Sequence, residues 1–488
     1  MQTRITSRIR VRAAGMAMPI LLVWEVVPTT TARATTLAME AAVEVAMEAV
    51  IDPSNGGRRL HLAAAIGNAL EWFDFAVYGY FANDIGKLFF PPSDPALQLI
   101  VGFGIFAVGY LMRPIGSLLL GPVGDWLGRR TMLLVSVLVM GGCSLLIGLL
   151  PTYASWGASA TYALLALRML QGLSVGGEYT GSITYVVESS AVERRGWRSA
   201  VTASGSIVGF VAGAVAAALV YSLLSPQAVL LWGWRIPFLA GAVVALLGFW
   251  LRSANLPGAA PVQAAVHGLA PFASPGLEAA GLWLGGFWRH RGLMLRVMAA
   301  ISFPDVVFYM LLVGLLQYAI GQAPGLAGAF TTLTAINELI GVGFVLLGGL
   351  LSDRYGALHC MRWACLVLAL TLMPGYLLVQ QASVIGVMVG ELLILVPLMI
   401  ICGAYPALLP IQFPEGFRCT GFSLAYSLVV ALLGGTAPLL GSWMLMRLGW
   451  NLGPAFYTLI WLPVCFWGLR GLSGTPSQAQ RLEATASI

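Results

Sequence analysis

Apolar segments long enough to cross a membrane follow one another almost without a break from His61 to Arg470. An α-helix needs about 20 predominantly apolar residues to span the hydrocarbon core of a bilayer. Hydrophobic residues make up 59% of the 488 residues and charged residues only 9%, whereas about 25% charged residues is usual in a soluble domain. Backbone polar groups in lipid must be satisfied within their own segment, which favours helices. The sequence therefore predicts an all-α membrane protein.

Twelve spans fit these apolar segments, and the arginines between the spans fall in alternate connections. The arginine-bearing connections hold Arg58 and Arg59, then Arg129 and Arg130, then Arg194, Arg195 and Arg198, then Arg289 and Arg291, then Arg354, Arg418 and Arg470. By the positive-inside rule these connections and both termini are cytoplasmic. We therefore expect a multi-pass protein of the inner (plasma) membrane that contacts the lipid bilayer and binds no nucleic acid.

We also expect this protein to be a monomer that needs no cofactor. The six cysteines lie in or beside apolar segments, and none of them has the spacing of metal ligands. This distribution predicts neither a metal site nor a disulfide.

Composition divides the chain into five segments. Residues 1–58 are rich in Ala, Glu, Thr and Arg, and we expect a disordered extension or translation that begins upstream of the true start. A signal-like or transit-like segment is the less favoured alternative. The longest internal connection separates six spans from six. The remaining predicted segments are an N-terminal half at 59–252, a cytoplasmic linker at 253–293, a C-terminal half at 294–470 and a cytoplasmic tail at 471–488.

A short motif occurs at the equivalent place in both halves. The first copy, after the second span, contains Gly121, Asp125, Gly128, Arg129 and Arg130, and the second copy, after the eighth span, contains Gly349, Asp353, Arg354 and Gly356. A parallel repeat of six spans is typical of one large transporter fold. The aspartate can accept hydrogen bonds from helix N-terminal amides and so latch the two halves in one state. The alternative is a charged loop that only obeys the positive-inside rule.

Three further motifs carry a family resemblance. They are Gly67-Asn-Ala-Leu-Glu71-Trp-Phe-Asp74-Phe-Ala-Val-Tyr78, Arg168-Met-Leu-Gln171-Gly-Leu-Ser-Val-Gly-Gly-Glu178-Tyr179 and Gly233-Trp-Arg-Ile-Pro-Phe-Leu239. With them the chain resembles the major facilitator superfamily and, within it, the metabolite:proton symporters, which include proline/betaine, citrate, 2-oxoglutarate and shikimate carriers. The resemblance implies the major facilitator fold, with twelve transmembrane helices in two six-helix halves around a central cavity. The loop motifs depart from the family pattern, because Trp126 replaces a basic residue and Ala357-Leu-His359 replaces a basic pair.

Charged residues away from the ends of the predicted spans are few. They are Glu71, Asp74, Arg113, Arg168, Glu178, Asp305, Glu338 and Glu391. A charge at the bilayer centre costs at least about 2.5–3.5 kcal/mol, so each should face the protein interior. Depths estimated at about 1.5 Å per residue predict two clusters, namely Arg168 with Glu71 and Asp74 near the midplane, and Arg113 with Glu178 nearer the cytoplasm.

These residues are candidates for two roles. Proton coupling is expected of Asp74, Glu71, Glu178 and Asp305, because desolvation favours a protonated carboxyl group and a neighbouring arginine opposes it. Substrate binding is expected of Arg168, Arg113, Trp72, Tyr78 and Gln171, because a guanidinium holds a carboxylate with two hydrogen bonds. The alternative is structural, with ion pairs that orient helices and aromatic rings that pack between them.

The sequence thus predicts a secondary active transporter that moves a small organic acid or zwitterion together with protons by alternating access. A phosphate-binding loop and a nucleophile constellation are both absent from the sequence, so we do not expect an enzyme. Two alternatives remain open at this point. One is an exporter or uniporter of the same fold, and the other is a non-transporting membrane sensor derived from a carrier.

Overall fold

The computed structural model describes residues 68–69, 71–90, 95–126, 129–188, 190–255, 277–414 and 417–474. The predicted extension at 1–58, most of the linker before residue 277 and most of the tail at 471–488 lie outside these ranges. Gly128 also lies outside them. The side chains of Asp125, Arg129 and Arg130 are not described, although their backbone belongs to helices.

Helices make up nearly all of the described ranges and form twelve rods where the sequence predicts spans. The first six are α1 (71–80 and Ala82–Phe89), α2 (Pro95–Leu111 and Arg113–Trp126), α3 (Arg129–Leu149), α4 (Ala158–Ser174 and Glu178–Glu188), α5 (Arg195–Leu223) and α6 (Pro226–Gly233 and Arg235–Asn255). The last six are α7 (Leu277–Tyr309, Met310–Leu315 and Leu316–Gln322), α8 (Ala327–Tyr355), α9 (Ala357–Gln380), α10 (Val384–Leu408), α11 (Arg418–Val429, Val430–Gly434 and Ala437–Met446) and α12 (Gly453–Arg470).

Length and hydropathy support a membrane location for these rods. Within the described ranges, seven helices are long and apolar enough to cross a membrane, and the pair Pro226–Gly233 and Arg235–Trp250, bent by 43°, makes an eighth candidate. α3 adds the shorter apolar helix Leu134–Leu149. Leu246, Leu370 and other large apolar side chains are exposed on the outside of the bundle. Such exposure is expected of a surface that contacts lipid rather than water.

The linker prediction differs from the structure at its C-terminal side. The helix that contains the seventh span begins at Leu277, well before the predicted start at residue 294. The segment 277–293 is therefore helical and leads into the seventh span, and its role as a cytoplasmic linker stays a prediction.

The two halves meet along equivalent pairs of rods. α5 packs along α8, and α2 packs along α11, which is the same pairing with the halves exchanged. Within the halves, α3 packs on α6 and α9 packs on α10. The matching α5–α8 and α2–α11 pairs are what a parallel six-helix repeat produces, and α1, α4, α5, α7, α10 and α11 surround the centre of the bundle.

Two ends of the bundle are distinguished by their charged residues. The Asp353 end is where α5 begins and α8 ends, and there Gly196 approaches Gly349 so closely that a Cβ on either residue would collide with the other helix. The Lys87 end is where α5 ends and α8 begins. The absence of side chains at Gly196 and Gly349 lets the two halves touch through their backbones at the Asp353 end.

Candidate functional site

A cavity lies between the two halves, at the middle of the bundle. The centre of a water molecule can move through about 40 Å³ of it, which is room for a few waters or a small solute. Its walls come from α1, α4, α5, α7, α10 and α11. The lining residues are Trp72, Tyr179, Ala203, Ser206, Ile207, Ile301, Pro304, Asp305, Phe308, Tyr309, Cys402, Tyr405 and Tyr426.

Aromatic rings dominate the wall of this cavity. The ring of Trp72 lies 5.8 Å from that of Tyr179, edge to face, and 6.4 Å from that of Tyr309, nearly parallel. Tyr179 lies 5.2 Å from Tyr426, and its hydroxyl is hydrogen-bonded to that of Tyr405. These residues come from five helices, and their π faces and edges form a continuous aromatic surface.

One carboxylate faces this aromatic wall. Asp305 follows Pro304 inside α7, and its Oδ2 is buried without a hydrogen-bond partner among the described residues. A Cβ at Gly434 on α11 would collide with the same oxygen, so a glycine there leaves space for the carboxylate. Arg113 acts electrostatically on Asp305. A cavity with an unsatisfied carboxylate can hold a cationic group or a proton.

Arg113 lies beside the cavity wall and is paired with Glu71. Its Nη2 is 2.8 Å from Oε1 of Glu71, and both side chains are almost completely buried. The guanidinium also lies over the rings of Phe75, Tyr110 and Trp72, at 4.5, 4.7 and 5.1 Å from their centroids. Trp72 therefore contacts Arg113 and also lines the cavity.

A second polar cluster lies within the N-terminal half. Oδ2 of Asp74 accepts hydrogen bonds from the hydroxyl of Ser144 and the side-chain amide of Gln171. Oε1 of Gln171 in turn accepts from Nη1 of Arg168 at 2.9 Å. The Arg168 guanidinium is fully buried and lies 4.2 Å from the ring centroid of Tyr78. Gln171 thus forms a hydrogen-bonded bridge between Asp74 and Arg168.

Three of the predicted proton-coupling carboxylates share a small cavity in the same half. Glu71, Asp74 and Glu178 line it together with Ser144 and residues of α3 and α6, and its volume suits about one water molecule. Oε2 of Glu178 accepts from the hydroxyl of Ser136 at 3.2 Å. A water here can connect carboxylates from α1 and α4.

The structure corrects the predicted pairings. Arg113 pairs with Glu71 and not with Glu178, while Arg168 is joined to Asp74 through Gln171. Depth along a helix had assigned Arg113 and Glu71 to different levels, although the two side chains are in contact. The rotation of each helix about its own axis decides which groups face each other, and depth carries no information about that rotation.

The predicted substrate residues divide between the two clusters. Only Trp72 lines the cavity between the halves, together with the predicted carboxylate Asp305. Tyr78 instead donates to the carbonyl of Gly102 at 3.3 Å. Sequence reasoning missed Tyr309 and Tyr405 as cavity residues. It also gave no role to Tyr426, nor to Tyr179, although Tyr179 ends a motif that carries the family resemblance.

The Asp353 end carries contacts that join the halves. The carboxylate of Asp353 accepts from the backbone N–H groups of Gly196 at 2.6 Å and Trp197 at 2.8 Å, at the start of α5. Arg418 at the start of α11 pairs with Glu188 at the end of α4, with 3.0 Å between nitrogen and oxygen. The described residues thus contain one helix-start contact of the kind that the repeated motif predicts, while the side chain of Asp125 in the other copy is not described.

Known proteins resemble the chain in sequence and in fold. The family model described as sugar (and other) transporters matches residues 60–255. The chain is 34% identical over 407 residues to the proline/betaine transporter of Salmonella typhimurium, covering 83% of this chain and 81% of that protein. It is also 34% identical over 406 residues to the glycine betaine/proline/ectoine/pipecolic acid transporter of Dickeya dadantii, with 83% and 80% covered.

Among solved structures, the crystal structure of a D-xylose–proton symporter superposes with a TM-score of 0.67 at 16% identity, covering 86% of this chain and 99% of that one. That likeness concerns the fold. The curated relatives are membrane transporters, and the helical bundle has the same fold as a solved symporter. The chain belongs to the major facilitator superfamily, in the metabolite:proton symporter family of its proline/betaine transporter relatives.

Proposed function

We propose that the chain is a proton-coupled symporter that carries a small zwitterion with a cationic nitrogen, of the proline or betaine kind. The observation that supports this most strongly is the unsatisfied carboxylate of Asp305 in a cavity walled by aromatic rings. Aromatic rings attract quaternary and secondary ammonium groups through their π faces, and a carboxylate adds opposite charge. The relatives named as proline, betaine and ectoine transporters support the same substrate class.

The anionic end of a zwitterion would be attracted to Arg113. The charge of Arg113 acts on Asp305, and its guanidinium lies 5.1 Å from the ring centroid of Trp72, which lines the cavity. Arg168, which the sequence predicts to bind substrate, is a weaker candidate than Arg113. Its guanidinium is fully buried against Tyr78 and is held by Gln171. A zwitterion therefore fits this site better than an organic acid without a cationic group.

Proton coupling is proposed for the carboxylates of the N-terminal half. Asp74 is held by two donors beside Arg168, and it shares a water-sized cavity with Glu71 and Glu178. Because Glu71 pairs with Arg113 near the substrate cavity, a change at Arg113 on substrate binding is transmitted to these carboxylates. Asp305 stays a candidate for the proton path when no substrate occupies the cavity.

Alternating access would proceed by rocking the halves about this centre. The hydrogen bonds from the start of α5 to Asp353 on α8, together with the Glu188–Arg418 pair, would hold the Asp353 end closed and would be released in the other state. We place the Asp353 end in the cytoplasm of an inner (plasma) membrane, with both termini on that side, because the arginines collect there. The protein would work as a monomer in the lipid bilayer, since each chain contains a complete cavity.

Uptake into cells that express the chain tests this function. Glycine betaine and proline should accumulate, citrate, 2-oxoglutarate and shikimate should not, and an uncoupler should abolish accumulation. Asp305→Asn should lose most zwitterion uptake, while Glu193→Gln, an exposed acid outside the cavity, should retain it. Uptake of the acids alone would contradict the proposal. Substrate binding without uptake would indicate the sensor, and efflux that does not depend on protons would indicate an exporter or uniporter.

A further inference from the structure

A layer of cross-half contacts separates the central cavity from the Lys87 end. The hydroxyl of Tyr80 on α1 donates to Oε1 of Glu338 on α8 at 2.5 Å, and Nε2 of Gln317 on α7 donates to the carbonyl of Tyr80 at 2.6 Å. Gly79 packs directly on Val313 of α7. Tyr80 lies about 12 Å along α1 from the cavity residue Trp72, at about 1.5 Å per residue. These contacts must break for the cavity to open toward the Lys87 end.

Glu338 is a carboxyl group buried in this layer without a countercharge. Its side chain is 0% exposed, and its Oε2 has no hydrogen-bond partner among the described residues. The groups that act on it are the hydroxyl of Tyr80 and a second carboxyl group, that of Glu391 on α10. Thr334 and Asn337 donate to Glu391 at 2.7 and 2.9 Å. A carboxylate buried in this way takes up a proton rather than remain charged.

The other helices around α8 bring no cation to Glu338. Tyr221 at the end of α5 donates to Asp84 at 2.6 Å and to the carbonyl of Tyr80 at 3.2 Å. Tyr376 of α9 is influenced by Tyr318 of α7, and Glu338 is not among the groups that act on it. Lys87 lies 3.9 Å from Asp84 and is partly exposed at the end of the bundle. Within the described part of the chain, Glu338 therefore faces one tyrosine and one further acid.

We propose that Glu338, with Glu391 behind it, is a proton-binding site that is separate from the carboxylates of the N-terminal half and controls closure at the Lys87 end. When the contacts at Tyr80 are broken, water reaches the Glu338 carboxyl group, which releases its proton to that water and becomes charged. Closing the layer removes that water, so closure requires Glu338 to take up a proton from the outer solution. Acid on this side therefore favours the closed layer and alkali favours the open one.

This inference rests on the proposed proton-coupled symport, because it gives that cycle a second proton-linked step. It also makes a separate prediction about how the conformation of the Lys87 end depends on pH. Glu338→Gln keeps an acceptor for Tyr80 but cannot ionise, so the layer should close equally well at any pH. Tyr80→Phe removes the hydrogen bond and leaves the acid, so its closure should still depend on pH.

Spin labels across the Lys87 end measure this closure. The six native cysteines are first replaced, and cysteines are introduced at the exposed residues Gln227 in the N-terminal half and Gln322 in the C-terminal half. In the reconstituted background protein, which carries no further substitutions, the population in which the two spin labels are far apart reports the open layer. This population should increase severalfold from mildly acid to alkaline buffer. With Glu338→Gln added it should stay low at both, and with Tyr80→Phe added it should still increase.

The outcomes separate the inference from the proposed function. An unchanged pH response in the Glu338→Gln protein overturns the proton site at Glu338, whatever the uptake assays give. A response that disappears in Glu338→Gln supports the site. If the background protein showed this response but accumulated no substrate with protons, the symport would be wrong and the site would remain. Substrate binding by each variant confirms that it is folded.

Discussion

Arg113 and Glu71 form a buried ion pair, 2.8 Å apart, and Glu71 shares a small cavity with Asp74 and Glu178. α1 supplies both Glu71 to this pair and Trp72 to the wall of the central cavity. Asp74 follows one turn later on the same helix. A displacement of α1 therefore changes the central cavity and the carboxylate cluster together, which is the coupling that a symporter needs.

Breaking this pair should destabilise the folded carrier. Removing one partner of a buried ion pair costs about 3–5 kcal/mol, because the other charge stays buried. Glu71→Gln and Arg113→Gln should each lower the unfolding temperature of the purified protein. The double variant should be more stable than the sum of the two effects predicts. Fully additive losses would show that the two side chains do not interact.

Asp74→Asn should separate transport from proton coupling. The amide still accepts from Ser144 but cannot take up a proton. In reconstituted vesicles, exchange of labelled for unlabelled substrate at equal pH should continue, and accumulation driven by a pH gradient should be lost. Exchange is the internal control for folding and binding. Accumulation at the wild-type level would remove Asp74 as a coupling group.

Trp72→Leu should weaken zwitterion binding more than Trp72→Phe does. An ammonium group over an aromatic face gains about 0.5–2 kcal/mol, so the KM for glycine betaine should increase about two- to thirtyfold in the leucine variant. The phenylalanine variant keeps a π face and should change less. Equal KM values for the two variants would argue against an aromatic cage.

Asp353→Asn should loosen the Asp353 end. A hydrogen bond to a charged group contributes about 1.5–3 kcal/mol, and Asp353 accepts two from the start of α5. Cys419, which follows Arg418 at that end, should then react severalfold faster with a membrane-impermeant maleimide, as measured by mass spectrometry of the labelled peptide. Glu193→Gln is the control, and an unchanged rate in the Asp353 variant would contradict the latch.

Gly172→Ala should test the close approach of α4 to α2. A Cβ at Gly172 would collide with the carbonyl oxygen of Gly109, whereas a Cβ at Gly104 of α2 meets nothing within 4 Å. Overpacking of this kind costs about 1–3 kcal/mol. The unfolding temperature should decrease in Gly172→Ala and stay unchanged in Gly104→Ala. Equal temperatures would show that the two helices can separate without cost.

The number of spans, the two halves and the family could be predicted because their signals are local. Apolar length identifies a span, and a motif such as Arg168–Tyr179 is contiguous in sequence. The site depends instead on how helices are rotated and packed. Estimated depth assigned Arg113 to Glu178, whereas in the packed bundle Arg113 pairs with Glu71.

The aromatic cavity could not be predicted from the sequence for a related reason. Tyr309, Tyr405 and Tyr426 lie on three helices and are far apart in sequence. Each alone resembles an ordinary packing residue, because most aromatic side chains in helices pack against neighbours. Glu338 and Glu391 were visible as costly buried acids, but the partner Tyr80 in the other half was not predictable from spacing.

Proton-coupled symport requires substrate and protons to enter together, and both can be measured in the same vesicles. Proteoliposomes that contain the purified chain and a pH-sensitive dye inside are given glycine betaine outside, without an imposed gradient. If substrate and protons enter together, the interior should become more acid as soon as substrate enters. This acidification should require Asp74 and be absent from protein-free liposomes. Glycine betaine entry at the same rate with no change of internal pH would contradict proton-coupled symport.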